Sequence, residues 1–171
     1  GALSEGKAEG DAFDTKEPYD MNTMTEIMQW CYDNGRNYWE YVDLCEDEGI
    51  WDYLAKVWKA MQEAVERGIN TEGRLPGPLN LMRKAPAYHV KASGYKQSLQ
   101  TRGLVYSYAL AVSEENASGG TIVTAPTCGS CGVLPAVLYH LSRGHEFSDE
   151  RILHAIATAG LVGNIVKQNA S

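Results

Sequence analysis

Apolar residues recur three and four positions apart along most of the chain, which is the spacing of one face of an α-helix. In the segment 24–31 they fall at i, i+3, i+4 and i+7, with Asn22 or Thr23 available as N-cap and Gly35 as a stop. The same spacing repeats over residues 39–45. The pattern therefore predicts two short amphipathic helices at the start of the folded region.

Four further segments continue the helical pattern, and they cover residues 54–65, 99–116, 132–143 and 152–166. The first of these should end at Arg67-Gly68, and the third tolerates Pro135 in its first turn. The last should begin after Ser148 as N-cap. This last helix also carries small residues suited to close packing, namely Ala157, Ala159, Gly160 and Gly163.

Two segments break the helical pattern. Residues 69–97 carry three prolines and several glycines without a sustained period, so they predict a long ordered loop with room for a short turn of helix. Residues 121–125 are predicted to be extended because they are rich in β-branched side chains, but one short run cannot form a sheet. The predicted fold class is all-α, a single helical domain of about six helices with long ordered loops.

Two cysteines and four tryptophans belong to the first three predicted helices. Cys31 and Cys45 fall on the inward stripes, where a free cysteine behaves as a small buried hydrophobic residue. The tryptophans lie between Trp30 and Trp58 at helical spacing and are predicted to be core residues, since each ring buries a large area.

Composition and charge narrow the function classes. The net charge is −7 and no cluster of Lys and Arg is longer than two residues, which argues against a nucleic-acid or anionic membrane surface. A small molecule or another protein is the expected partner.

Residues 1–20 are polar and acidic, so they are predicted to be a flexible tail or a cloning remnant rather than a secretory signal. A cytoplasmic location with reduced thiols is therefore expected.

The most informative local motif is a cysteine pair. Cys128 and Cys131 are separated by Gly129 and Ser130, directly ahead of the helix predicted at 132–143. Free N–H groups and the positive end of a helix dipole lower the pKa of a thiol at such a position. Cys131 is therefore predicted to be a thiolate, the form that binds metal or attacks an electrophile.

Four kinds of site are compatible with this spacing. A thioredoxin-like dithiol using Cys128 and Cys131 normally has a βαβ context, which a helical chain does not offer. A closed zinc site needs four ligands, and the spacing of the histidines after residue 139 matches no familiar zinc motif. Two inert buried thiols are the third kind. The fourth is a loop that approaches an anion or cluster, which the glycine and hydroxyl residues of 118–132 favour.

Three stretches of sequence resemble one protein family. They are E-E-N-A-S-G-G-T-I-V-T-A-P-T-C-G-S-C-G-V-L-P-A-V-L at 114–138, N-T-E-G-R-L-P-G-P-L at 70–79 and K-Q-N-A-S at 167–171. Together they resemble the α domain of iron-sulfur-dependent bacterial L-serine dehydratase, and the resemblance spans about residues 22–171. Because three motifs occur in the right order, the match is far more specific than a C-x-x-C pair.

The resemblance implies an activity and a cofactor. Such enzymes convert L-serine to pyruvate and ammonia with a 4Fe-4S cluster held by three cysteines, one iron being open as a Lewis acid. No pyridoxal phosphate is expected. A β domain or β subunit and self-association of the full-length enzyme into a homo-oligomer are implied as well.

The resemblance also implies roles for single residues. Cys131 matches the first cluster cysteine of the family motif. Cys128 stands where many relatives have asparagine, so it is expected to line the loop near the substrate rather than bind the cluster. Thr127, Gly129 and Glu72 are the other expected substrate contacts.

Two further consequences concern the loop 75–79 and the last residue. The L-P-G-P-L turn, with Arg83 and Lys84 behind it, resembles a loop lining the active site, although two adjacent cations can also be a solvated pair.

The remaining cluster cysteines are expected beyond Ser171. Residues 21–171 are therefore expected to be the N-terminal part of the α domain, inactive by themselves, with both Cys128 and Cys131 as free thiols.

Overall fold

The computed structural model describes residues 19–124, 128–145 and 147–170, and within these ranges the chain is helical with no β-strand. The helices are α1 (Met24–Asn34), α2 (Tyr38–Cys45), α3 (Gly49–Asn70), α4 (Ala85–Ser93), α5 (Gln97–Ala117), α6 (Val133–Gly144) and α7 (Asp149–Asn169). The predicted all-α class is confirmed.

Local signals set several helix ends where the sequence predicts them. Thr23 caps α1: its Oγ1 accepts from the backbone N–H of Glu26, and the Glu26 carboxylate accepts from the Thr23 N–H at 3.0 Å. Gly35 ends α1 in the left-handed region at φ +60°. Ser148 caps α7 through the N–H of Arg151.

The long helix α3 lies at the centre of the domain and contacts α4, α5, α6 and α7. Its buried side chains include Trp58 and Val65, which face the core between these helices. Cys31 is buried as predicted, whereas Cys45 is only partly buried. Of the four tryptophans, Trp58 is fully in the core and the other three pack against its edge.

The predicted loop 69–97 is wrong in part, because it contains the nine-residue helix α4. Its proline, Pro86, occupies the first turn, where a missing N–H costs nothing. The Glu114 carboxylate, from α5, accepts the backbone N–H groups of Lys84 and Ala85 at 2.6 and 3.3 Å. This cap comes from a residue 30 positions away, so local sequence patterns do not contain it.

The first residues of the described chain are packed onto the domain. Tyr19, placed in the tail by the sequence, donates its hydroxyl to Glu46 Oε1 at 2.7 Å and its ring lies against Tyr41. The ordered region therefore begins no later than Tyr19. In the part of the chain that is described, every helix is too short or too polar to cross a membrane.

Candidate functional site

A buried ionic network joins two loops at the C-terminal end of α5. Glu115 accepts from Arg83 Nη1 at 2.8 Å and from Arg67 Nε at 3.0 Å. Arg67 also donates to the carbonyl of Thr121, and Arg83 donates to Ser118 Oγ. The network therefore ties the segment before α4 and the segment after α5 to the same carboxylate.

The charge state of Glu115 follows from its partners. Burial alone raises the pKa of this carboxyl, but the hydrogen bonds and charges of Arg83 and Arg67 outweigh burial and hold the pKa below its ordinary range. Glu115 is thus an ionised acceptor for two guanidinium groups. A charge-assisted pair of this kind fixes geometry more firmly than neutral hydrogen bonds do.

The loop between α3 and α4 folds back on itself as a short hairpin. Arg74 and Met82 form an isolated antiparallel bridge, and the N–H of Arg83 donates to the Gly73 carbonyl at 2.8 Å. Glu72 precedes this bridge and is exposed. Arg83 is not half of a solvated pair, since its side chain is only 7 % exposed, whereas Lys84 is exposed.

The cysteine loop rests on α5. The Asn116 side chain donates to the carbonyl of Cys128 at 3.4 Å, and Cys128 begins a single 3₁₀ turn that ends at Ser130. Gly132 follows, and a Cβ there would lie 2.4 Å from the Ala109 carbonyl oxygen. Only glycine allows the chain to cross α5 at this distance before α6 begins.

A cavity of about 490 Å³ lies beside the second cysteine of the motif. Its walls come from α2, α3, α6, α7 and the segments flanking the cysteine loop, where Thr124, Ser130 and Cys131 line it. The volume falls within the range of small-molecule sites, about 300–1,000 Å³. Cys131 is therefore the cysteine of the motif that lines the cavity.

Two of the small residues of α7, both glycines, line this cavity without close packing, whereas Ala157 is buried in the core. Gly160 and Gly163 have no atom within 4 Å of an added Cβ, and both are lining residues together with Ala157 and Ala159. The predicted close-packed face is therefore wrong at the two glycines. Among the described residues, no neighbouring helix approaches α7 closely at these two glycines.

The predicted thiolate at Cys131 is also wrong for the chain by itself. The Cys131 residue is 3 % exposed, and burial, followed by the nearby Cys128, raises the pKa of its thiol. Helix α6 begins only at Val133 with Gly132 as N-cap, so Cys131 stands outside the first turn. Desolvation therefore outweighs the dipole at this position.

One thiol in the cavity does not make a metal site. Within the described ranges, no group of three or more His, Cys, Asp or Glu side chains is arranged to hold a metal ion. Cys131 can supply one ligand to an iron-sulfur cluster, in a space with room for one, but the described residues do not complete the coordination. Cys31, Cys45, Cys128 and Cys131 are all free, as predicted for the motif pair.

The remaining predicted site residues are dispersed. Cys128 and Gly129 are exposed at the surface turn, and neither is among the described residues that line the cavity. Glu72 stands apart from the cavity as well. Thr127 lies outside the described residues. The structure thus brings Cys131 to the cavity and leaves the other three described candidates outside it.

Sequence reasoning missed the residues that organise the site. Glu114 and Glu115 occupy the last turn of α5, where the negative end of the helix dipole disfavours carboxylates. Two carboxylates at this unfavourable position are a signal that they have cationic or N–H partners elsewhere in the fold. Arg67, which the sequence marks only as the end of a helix, donates to Glu115. Glu46, a charged residue of the cavity wall, had no local signal, whereas Lys167 opens the K-Q-N-A-S motif but was assigned no role.

Comparison with known proteins identifies the family to which the chain is similar. The family model described as serine dehydratase alpha chain matches residues 11–171. The chain is similar to the L-serine dehydratase TdcG of Escherichia coli (strain K12), with 38 % identity over 168 residues, which is 92 % of this chain and 37 % of that protein. It is also similar to the L-serine dehydratase of Haemophilus influenzae, with 38 % identity over 164 residues, which is 90 % of this chain and 36 % of that protein.

A third relative extends the comparison. The L-serine dehydratase of Streptomyces coelicolor is 34 % identical over 168 residues, which is 92 % of this chain and 36 % of that protein. The chain spans little more than a third of the length of these relatives. Because the family model covers nearly all of the sequence, the chain belongs to the serine dehydratase alpha chain family.

Proposed function

We propose that this chain forms part of an enzyme that converts L-serine to pyruvate and ammonia. Membership of the serine dehydratase alpha chain family supports the proposal. The observation that carries it is the position of Cys131, which is buried against a cavity of about 490 Å³ at the start of α6. A cavity lined mostly by apolar side chains, with a few polar groups, is typical of small-molecule sites.

The proposed reaction is a β-elimination followed by hydrolysis. L-serine loses the proton on Cα and the hydroxyl on Cβ as one water molecule, which gives aminoacrylate. Its imine tautomer then takes up water and releases ammonia, which leaves pyruvate. Because one water is lost and one is gained, no oxidant or reductant is needed.

The cofactor is part of the proposal. A 4Fe-4S cluster, when bound, would supply Lewis acidity toward the serine hydroxyl. Cys131 would be its ligand in this chain, beside the cavity of about 490 Å³. Pyridoxal phosphate has no role in this proposal.

The residues around the cavity have a positioning role in the proposed site. Gly132 lets the cysteine loop lie directly on α5, and Asn116 holds the carbonyl of Cys128. The Glu115 network fixes the segment after α5 through the Thr121 carbonyl and Ser118. A loop that is held at both ends keeps Cys131 at one place relative to the cavity.

Family membership extends the proposal to partners and location. We expect a β domain or β subunit to accompany the α domain, the full-length enzyme to form a homo-oligomer, and the enzyme to work in the cytoplasm. L-serine is the proposed substrate, and Thr127, Cys128, Gly129 and Glu72 remain predicted contacts to it.

Anaerobic iron-sulfur reconstitution of the full-length protein tests the proposal. We expect a visible iron-sulfur absorption band and pyruvate formation from L-serine. Cys131→Ser should abolish both signals, and Cys128→Ser, as the matched control in the same loop, should keep the absorption band. A colourless full-length protein that forms no pyruvate would overturn the proposal.

The alternative prediction is a thiol-disulfide redox module that uses Cys128 and Cys131. The two thiols differ in exposure, since Cys128 is exposed and Cys131 is buried, and no disulfide joins them in the described structure. A redox titration separates the two functions. A reversible disulfide between Cys128 and Cys131 near a thioredoxin-like potential, about −270 mV, would favour the alternative.

A further inference from the structure

The hairpin of helices α4 and α5 carries an exposed surface of tyrosines and cations. Its members recur three and four positions apart within each half of the hairpin, which places them along one stripe of each helix. They are Tyr88, Lys91, Tyr95, Leu99, Arg102 and Tyr106. The three tyrosines and the leucine are between 40 and 55 % exposed, and both cations are exposed as well. We call this surface the tyrosine face.

Contacts between the two helices make the tyrosine face continuous. The rings of Tyr88 and Tyr106 meet edge to face, with centroids 5.4 Å apart. At the other end of the hairpin, a Cβ added to Gly103 would lie 3.1 Å from ring carbons of Tyr95. The Lys91 ammonium lies 6.0 Å from the centroid of the Tyr88 ring, within the range of a cation–π contact. The face is therefore one patch and not a set of scattered exposed side chains.

The composition of the tyrosine face is typical of a protein-binding surface. Tyrosine and arginine are enriched at protein interfaces and among the residues that contribute most to binding. Lys91 and Arg102 form no ion pair within the described ranges, and the face contains no acidic residue. A complementary partner therefore presents carboxylates beside apolar side chains.

The same chain carries a surface with these properties. Residues 19–66 contain eleven Asp and Glu but three Lys and Arg, whereas residues 67–113 contain seven Lys and Arg but one Glu. Exposed carboxylates and two exposed apolar side chains surround the turn between α2 and α3, namely Asp43, Leu44, Asp47, Glu48, Asp52 and Tyr53. Trp51 Nε1 donates to Asp43 Oδ1 at 2.8 Å, which joins the end of α2 to the start of α3. We call this surface the acidic turn.

We infer that the tyrosine face binds the acidic turn of a second copy of this chain. Lys91 and Arg102 pair with carboxylates of the turn, and the tyrosines pack against its Leu44 and Tyr53. Charge complementarity between the two surfaces of one chain selects a second copy as the occupant. In a two-fold dimer the contact occurs twice, since each copy supplies one face and one turn. The inference rests on the proposed function only for the expected homo-oligomer, and it names the surfaces that form it.

A charge-swap experiment on the full-length protein tests the inference, with sedimentation velocity as the measure of self-association. Lys91→Glu/Arg102→Glu reverses the charge of the tyrosine face and should weaken self-association by roughly tenfold to hundredfold. Glu48→Arg/Asp52→Arg reverses the charge of the acidic turn and should have a similar effect. An equimolar mixture of the two variants should associate again, because each reversed surface meets a complementary one. Restoration in the mixture is the diagnostic result.

Control variants separate this contact from effects of net charge and of folding. Lys59→Glu/Arg151→Glu makes the same change in net charge at exposed residues outside both surfaces, and it should leave self-association unchanged. Tyr106→Ala changes no charge and should weaken self-association by roughly tenfold. Circular dichroism detects a folding defect. Lys91→Gln/Arg102→Gln, which retains long polar side chains, should give a smaller loss in the same direction.

Other occupants of the tyrosine face give different results. If the amine of Lys91 resists labelling in the dilute monomer, another part of the full-length chain covers the face, and the second-copy assignment is wrong. Binding of anionic vesicles in place of self-association would also overturn it. So would a protein that stays monomeric at all concentrations, or a reversed face that associates as the wild type does.

The outcomes also separate this inference from the proposed function. If the full-length protein forms pyruvate but the charge swap does not restore association, the contact between the tyrosine face and the acidic turn is wrong and the reaction stands. If the mixture restores association but no pyruvate forms from L-serine, the proposed reaction fails and the contact stands.

Discussion

Arg83 donates to Glu115 across 2.8 Å, and both side chains are 7 % exposed. The pair joins Arg83, two residues before α4, to the last turn of α5, and Arg67 approaches the same carboxylate from α3. A buried pair costs desolvation, so its main effect is to specify one arrangement of the parts it joins. Here those parts are the hairpin before α4 and the segment that leads to the cysteine loop.

Removal of the Glu115 charge should destabilise the protein strongly. Glu115→Gln keeps the shape of the side chain but leaves the buried Arg83 without its carboxylate, and we expect a loss of about 3 kcal/mol in the free energy of unfolding. Urea denaturation measures this loss. Glu63→Gln, an exposed carboxylate on α3, is the control and should change stability by less than about 0.5 kcal/mol. Equal effects of the two variants would contradict a special role for Glu115.

The same carboxylate should make stability depend on acid pH. The pKa of Glu115 in the folded protein lies below its ordinary value of 4.5, because Arg83 and Arg67 outweigh the effect of burial. A depressed pKa contributes stability above pH 4.5, and this contribution is lost as the pH falls through the folded-state pKa. The stability difference between wild type and Glu115→Gln should therefore shrink below pH 4.5. A difference that stays constant through acid pH would contradict this expectation.

Two glycine substitutions should have opposite signs. Gly132→Ala places a Cβ 2.4 Å from the Ala109 carbonyl oxygen, so the cysteine loop must move, at a cost of about 1–3 kcal/mol. Gly160→Ala meets no atom within 4 Å and should stabilise α7 by about 1 kcal/mol, since alanine has the higher helix propensity. Thermal unfolding of both variants decides the signs. Stabilisation by Gly132→Ala would mean that the loop does not lie on α5.

The two cysteines of the motif should differ in reactivity. Cys128 is exposed and Cys131 is 3 % exposed, so iodoacetamide should alkylate Cys128 first under native conditions and Cys131 only slowly. Peptide mass spectrometry resolves the order. The same reaction in denaturant is the control, because unfolding should bring the two rates together. Native alkylation of Cys131 as fast as that of Cys128 would show that its burial is not maintained.

The helical class and several helix boundaries could be predicted from the sequence because their causes are local. Thr23, Gly35 and Ser148 end or begin helices through groups within four residues of each other, so the pattern of the chain contains the signal. Helix α4 was missed because its N-terminus is capped by Glu114, which local windows do not include. The family could likewise be predicted from the motif around Cys131, because a family match depends on the identity of residues along the chain.

The surroundings of the motif were decided by the tertiary structure. Local reasoning placed Cys131 at a helix end and predicted a lowered pKa, but burial in the core cluster removes the thiol from water and raises its pKa. The sequence by itself determined which segments become helices, since propensity and capping act over a few residues. Only the packing of α2, α3 and α7 brought Glu46, Lys167 and Cys131 to one cavity, because burial and charge pairing depend on neighbours in space.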